Sequence, residues 1–87
     1  MIRTVTGDVS IEKIKNTLSH EHITFGKPGY VGDDDNCYSR ETAYKNALRR
    51  IDMIKKYNVN LVVDANTAEC GRDPHLLKKI PLDTDVF

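Results

Sequence analysis

Asn58-Val59-Asn60-Leu61-Val62-Val63-Asp64 is the stretch that decides the fold. Leu61-Val62-Val63 is too short for a helix and β-branched in part, so it predicts a strand over 59–64. No polar residue interrupts those three positions, the pattern of a parallel-sheet strand buried on both faces. The residues just upstream predict a helix over 39–57. Ser39 is a good N-cap, and Glu41 places negative charge at the positive end of the helix dipole. Tyr44, Ala47, Leu48, Ile51 and Ile54 recur at helical spacing on one face, while Lys45, Arg49, Asp52 and Lys56 take the other. Asn58 can close the helix in a left-handed conformation.

Downstream, a loop over 65–72 leads to Asp73-Pro74, where Asp caps and Pro occupies the first helical position. Leu76, Leu77 and Ile80 supply a short apolar stripe, and Pro81 is expected to stop this second helix. Val86-Phe87 reads as the opening of another strand. Upstream, Ile2–Thr6 and Val9–Ile11 predict a hairpin around Gly7-Asp8, with glycine first as a type II′ turn prefers. Residues 17–23 predict a strand. Residues 26–37, broken by Gly26, Pro28, Gly29 and Gly32, predict a loop.

The order strand, helix, strand, helix is the grammar of βα units around a parallel sheet, so the class is α/β. The divisions are a β-hairpin over 1–12, a first βα unit over 17–58 and a second over 59–80. Two strands and two helices leave one sheet face bare, so the chain reads as unfinished.

The chain has 87 residues, with thirteen basic and thirteen acidic side chains. That balance argues against nucleic acid or an anionic membrane as partner. Six aromatics and no Trp leave little for base stacking. No apolar run approaches the roughly 20 residues of a membrane span, and the N-terminus lacks the apolar stretch of a secretion signal. Cys37 and Cys70 lack CxxC spacing and read as reduced thiols of a cytoplasmic protein.

Chemistry concentrates in Thr17-Leu18-Ser19-His20-Glu21-His22-Ile23. In a strand of period two, His20 and His22 share one face and Glu21 takes the other. Two neutral imidazoles are half of a zinc-type site, which needs about four ligands. In a βα repeat the loop after each strand emerges at the same end, so Asp64, Thr67 and Arg72 share the histidines' neighbourhood. Taken alone, each feature has a plainer reading. His-x-His also suits two ordinary strand histidines, and Asp64 suits an acceptor for backbone N–H groups. Gly71 to Pro74 suits a loop and cap as well as an anion site assisted by Arg72. His75 reads as solvent-facing. Asp33 to Asp35 resemble a calcium loop only superficially: the alternate positions Asp33, Asp35 and Cys37 lack the oxygen ligand and glycine it needs, so the run reads as a solvated acidic loop.

Together these residues resemble a known family. Ile2-Arg3-Thr4-Val5-Thr6-Gly7, Thr17-Leu18-Ser19-His20-Glu21-His22, then Val62-Val63-Asp64, Thr67 and Gly71-Arg72-Asp73 are similar to the opening of the phosphotriesterase family, in the amidohydrolase superfamily. The resemblance covers nearly the whole chain, in order. Asn66 departs from the Ser or Thr common in relatives, and the acidic loop has no match.

The resemblance implies the N-terminal part of a TIM-type (β/α)8 barrel with two divalent metals, commonly zinc, at its mouth. It implies that His20 and His22 ligate the more buried metal, with Asp64, Thr67, Arg72 and Asp73 as structural or supporting residues. The other ligands of such enzymes are a carboxylated lysine, two histidines and an aspartate on later strands. None has a counterpart here, and no catalytic residue falls in this segment. The implied activity is hydrolysis of a small-molecule ester, lactone or organophosphate by a metal-bridging hydroxide, with the 87 residues inactive alone. A barrel needs about 250 residues, so this is roughly a third of one. The competing reading is a small non-catalytic α/β module that binds a metal or partner and covers its bare face as a homo-oligomer.

Overall fold

The computed structural model describes residues 1–24 and 39–87. The predicted loop over 26–37, with Cys37 and the acidic run, lies outside the described residues. Strands β1 (Ile2–Thr4) and β2 (Gly7–Val9) form an antiparallel hairpin, and β3 (Asn16–Glu21) pairs in parallel with β4 (Val59–Asp64). Helix α1 (Arg40–Lys55) links β3 to β4, and α2 (Pro74–Asp83) follows β4.

Helix α1 forms as its pattern predicts. Ser39 caps it by accepting from the Thr42 N–H at 3.3 Å. Asn58 closes it with φ 58°, the one positive φ outside glycine among the described residues. An Asn side chain tolerates that region because it is short and polar. Its carbonyl then accepts from Asn16 N at 3.1 Å, so the helix end delivers the chain onto the start of β3. Two asparagines lace this entry end. Asn16 Nδ2 donates to Tyr57 O, and Asn60 bonds both the Lys15 N–H and the Lys13 carbonyl, each at 2.8 Å.

The core is Ala47 and Ile51 of α1, Ile80 of α2 and Val86, with Ile23, Tyr44, Ile54 and Val62 against it. Both helices thus sit over one face of the strand pair. Each fully buried side chain of Ile51's size contributes about 1.5–3 kcal/mol by leaving water.

Five expectations need correction. The hairpin turns at Val5-Thr6, since Thr4 pairs with Gly7 and Ile2 with Val9. Thr4 Oγ1 accepts from Thr6 N and donates to the Gly7 carbonyl, which organises the turn two residues early. Gly7 follows the turn with φ 125°, taking the unusual backbone angle at strand entry. Ile11, expected to end the second strand, instead opens a 3₁₀ turn over Ile11–Lys13. Strand β3 ends at Glu21, leaving His22 and Ile23 just past it. Helix α2 runs through Pro81 to Asp83: Pro81 loses only its own donor, and Thr84 N still reaches Ile80 O at 2.9 Å. Strand β4 is not buried on both faces, because helices cover one side and Val63 is 45% exposed.

An apolar groove of about 440 Å³ runs between the hairpin, β4 and α2, lined among others by Val5, Leu61, Val63, Leu77 and Phe87. Phe87 already pairs with β4: its N–H donates to Asn60 O and its carbonyl accepts from Val62 N, both at 2.8 Å. Strand β4 therefore bonds on two edges, to β3 and to Phe87. Among the described residues, no helix is long and apolar enough to cross a membrane.

Candidate metal centre

Strands β3 and β4 end at a common rim, with Glu21 beside Asp64 and Ala65 N bonded to the Glu21 carbonyl at 2.8 Å. His20 and His22 meet there. Their ring centroids are 5.2 Å apart and their planes cross at 67°.

A register shift determines which side they occupy. Leu18 lies beside Val62, which packs on the helix core. Unbroken alternation from Leu18 would send positions 20 and 22 to that same side. Between Leu18 and Glu21, however, three steps on β3 match two on β4. This bulge puts Glu21 on the helix side with Asp64. Ile23, two residues on, joins the core. The imidazoles on either side of Glu21 are carried to the opposite face.

The loop after β4 holds His22 in place. Asn66 is 4% exposed, and its Oδ1 lies 2.5 Å from His22 Nδ1. Asn66 Nδ2 donates to the Thr24 carbonyl, its backbone N–H to Asp64 Oδ1 at 2.8 Å, and its carbonyl accepts from Arg72 Nε at 2.9 Å. Asp64 Oδ2 accepts from the Ile23 N–H at 3.0 Å, so this carboxylate ties the two post-strand loops together. Arg50 of α1 donates to the His22 carbonyl at 3.0 Å and the Ile23 carbonyl at 3.4 Å. Thr24 Oγ1 donates to the Gly71 carbonyl at 2.8 Å.

The other residues of interest stand further back. Thr67 is exposed, and its carbonyl accepts from Cys70 N and Arg72 N. Asp73 is occupied with structure. Its Oδ1 takes the His75 and Leu76 N–H groups, and its carboxylate pairs with Arg40, Nε to Oδ2 at 2.7 Å. The N-terminal donors of α2 are thereby capped, and Arg72 points its Nε at a carbonyl, so neither is set for an anion.

Sequence reasoning sets His20, His22 and Asp64 at one end of the strands, where β3 and β4 do end with Glu21 beside Asp64, but it gives Asn66, Arg50 and Arg40 no role. Their partners lie 44, 28 and 33 residues away, beyond any local pattern. Asn66's place two residues after a rim aspartate is the only local signal.

Chemically, two neutral imidazoles side by side suit zinc and its first-row neighbours. Among the described residues, no cluster of three or more His, Cys, Asp or Glu could hold a metal ion. The donors present fit half a coordination shell.

Residues 1–87 match the family model for the phosphotriesterase family. The chain belongs to the phosphotriesterase family. Among solved structures, an engineered variant of a phosphotriesterase-like lactonase from Deinococcus radiodurans is 32% identical, with a TM-score of 0.88 over 99% of this chain and 27% of that one. The organophosphorus hydrolase from Deinococcus radiodurans is 33% identical, with a TM-score of 0.87 over 97% of this chain and 26% of that one. The chain thus spans about a quarter of these phosphotriesterase-family structures. Its hairpin and two parallel strands correspond to the N-terminal part of their TIM-type barrel, and the described residues form no closed barrel. Family membership makes the protein kin to divalent-metal-dependent hydrolases.

Proposed function

We propose that this chain is the N-terminal portion of a divalent-metal-dependent hydrolase of ester, lactone or phosphotriester bonds, in which His20 and His22 supply two imidazole ligands. The observation that carries the proposal is the pair of rings meeting at the rim, with His22 Nδ1 already engaged by Asn66. An Nδ1–H bonded to a carbonyl oxygen places the ring's lone pair on Nε2, the arrangement common in metal-bound histidines. When bound, a zinc-like ion supplies a water acidified toward neutral pH and polarises the scissile bond.

The chain's own residues do the positioning. Asp64 and Arg50 fix the backbone at Ile23 and His22, so the imidazoles leave a held rim rather than a loose loop. The 87 residues contain half a ligand set, so the chain is expected to bind zinc weakly and to hydrolyse neither lactones nor organophosphates alone. In a cytoplasmic setting its thiols stay reduced; Cys70 is free. Zinc titration followed on the ¹⁵N-labelled imidazoles tests this reading. Zinc should move the ring nitrogens of His20 and His22 together and leave His75 unaffected. Zinc that leaves both rings unmoved overturns the ligand role, and lactone hydrolysis by the purified chain overturns the inactivity.

A further inference from the structure

We infer that Asn66 is a positioning residue that fixes His22 as the Nδ1–H tautomer and so puts the ring's lone pair on Nε2, the atom that would meet a metal; this rests on the ligand reading above. Hydrogen-bond complementarity alone gives the argument. The Thr24 carbonyl can only accept, so the Asn66 side chain must present its NH₂ there. That fixes the amide orientation and turns Oδ1 toward His22 Nδ1, at 2.5 Å. Oδ1 can only accept too, so the proton must sit on Nδ1.

Nothing lets the amide turn over. Asn66 is 4% exposed, and its backbone is pinned at both ends, N–H by Asp64 and carbonyl by Arg72. Asp64 also holds Ile23, and Arg50 holds the His22 carbonyl, so ring and amide are mounted on one frame. A flipped amide would set its oxygen against the Thr24 carbonyl, two acceptors face to face, and lose that bond. Among the described residues His20 has no such partner beyond its ring neighbour, so the two imidazoles are prepared differently.

The experiment reads the tautomer directly, without metal. Long-range ¹H–¹⁵N correlation of the imidazoles near pH 8, above the ordinary histidine range, distinguishes protonated from lone-pair nitrogens. In the unaltered chain, His22 should show a lone pair on Nε2 and a proton on Nδ1. In Asn66→Ala that preference should be lost toward the free-imidazole mixture, in which Nε2–H predominates, and zinc affinity should fall 10- to 100-fold. Asn66→Asp keeps an acceptor for Nδ1 but loses the donor to the Thr24 carbonyl, so it should keep the proton on Nδ1 while weakening the fold. A wild-type His22 carrying its proton on Nε2 overturns the inference, as does an Asn66→Ala spectrum unchanged from wild type. If Asn66→Ala fails to fold, the wild-type and Asn66→Asp spectra still decide. If the tautomer behaves as stated while zinc leaves both rings unmoved, Asn66's control of the ring stands and the ligand role alone falls.

Discussion

Asp73→Ala removes a side chain with two tasks among the described residues, and the structure separates their sizes. Its Oδ1 accepts the His75 and Leu76 N–H groups at 3.1 and 3.3 Å, capping α2. Loss of such a cap costs about 1 kcal/mol. Its carboxylate also pairs with Arg40, whose side chain is 57% exposed while that of Asp73 is 8% exposed. Solvent around the guanidinium limits that pair to at most about 1 kcal/mol. The sum, about 2 kcal/mol, is a large share of the roughly 4–13 kcal/mol expected for 87 residues. With a urea dependence of about 1 kcal/mol/M, the unfolding midpoint should fall by about 2 M at unchanged slope. Asp73→Asn keeps the cap, because Asn is as good an N-cap as Asp, and should cost only about half as much. Arg40→Ala should match Asp73→Asn. The reasoning is refuted if Asp73→Asn proves as damaging as Asp73→Ala, or if Asp73→Ala leaves the midpoint in place.

Ile51, 1% exposed at the centre of the helix–strand core, should cost about 2–5 kcal/mol on truncation to Ala, seen as loss of circular-dichroism signal at lower urea. Asn58→Ala forces a Cβ-bearing residue without a local hydrogen-bonding side chain into φ 58° and should destabilise by about 1 kcal/mol, whereas Asn58→Gly should not, by the same urea measurement. The Tyr44 hydroxyl donates to Asp83, and that bond, with smaller contributions from burial and the carboxylate's charge, raises its pKa above the ordinary 10.0. The associated stability is fully present below the ordinary value and is lost as pH rises through the raised one. Alkaline absorbance titration should therefore show a late-ionising tyrosine that disappears in Tyr44→Phe.

Much of the architecture was legible locally. Ser39, the apolar stripe from Tyr44 to Ile54, Asn58 and the Asp73-Pro74 start each act over a few residues, and each forms as its chemistry dictates. The two parallel strands followed from a short apolar run after a closed helix. The hairpin turn moved because a threonine hydroxyl, rather than glycine, organises it. Pro81 stayed inside α2 because a proline late in a helix removes one bond without blocking those after it. At the rim, the residue types were readable but their fastening was not. Counting by twos gets both imidazoles onto one face, yet it cannot reveal which face, because that depends on how β3 is offset against β4. The clasp of Asn66 on His22, and of Arg50 behind it, joins segments far apart in the chain.

The offset between Leu18 and Glu21 carries a lesson for protein engineers. Because a local pucker, and not residue parity, decides where the rings emerge, grafting His-x-His alone onto a regular strand would aim the donors by parity alone. A transplant would have to bring the extra residue along. Conversely, deleting Ser19 should iron out the offset while Glu21 stays opposite Asp64, so both rings should keep their face.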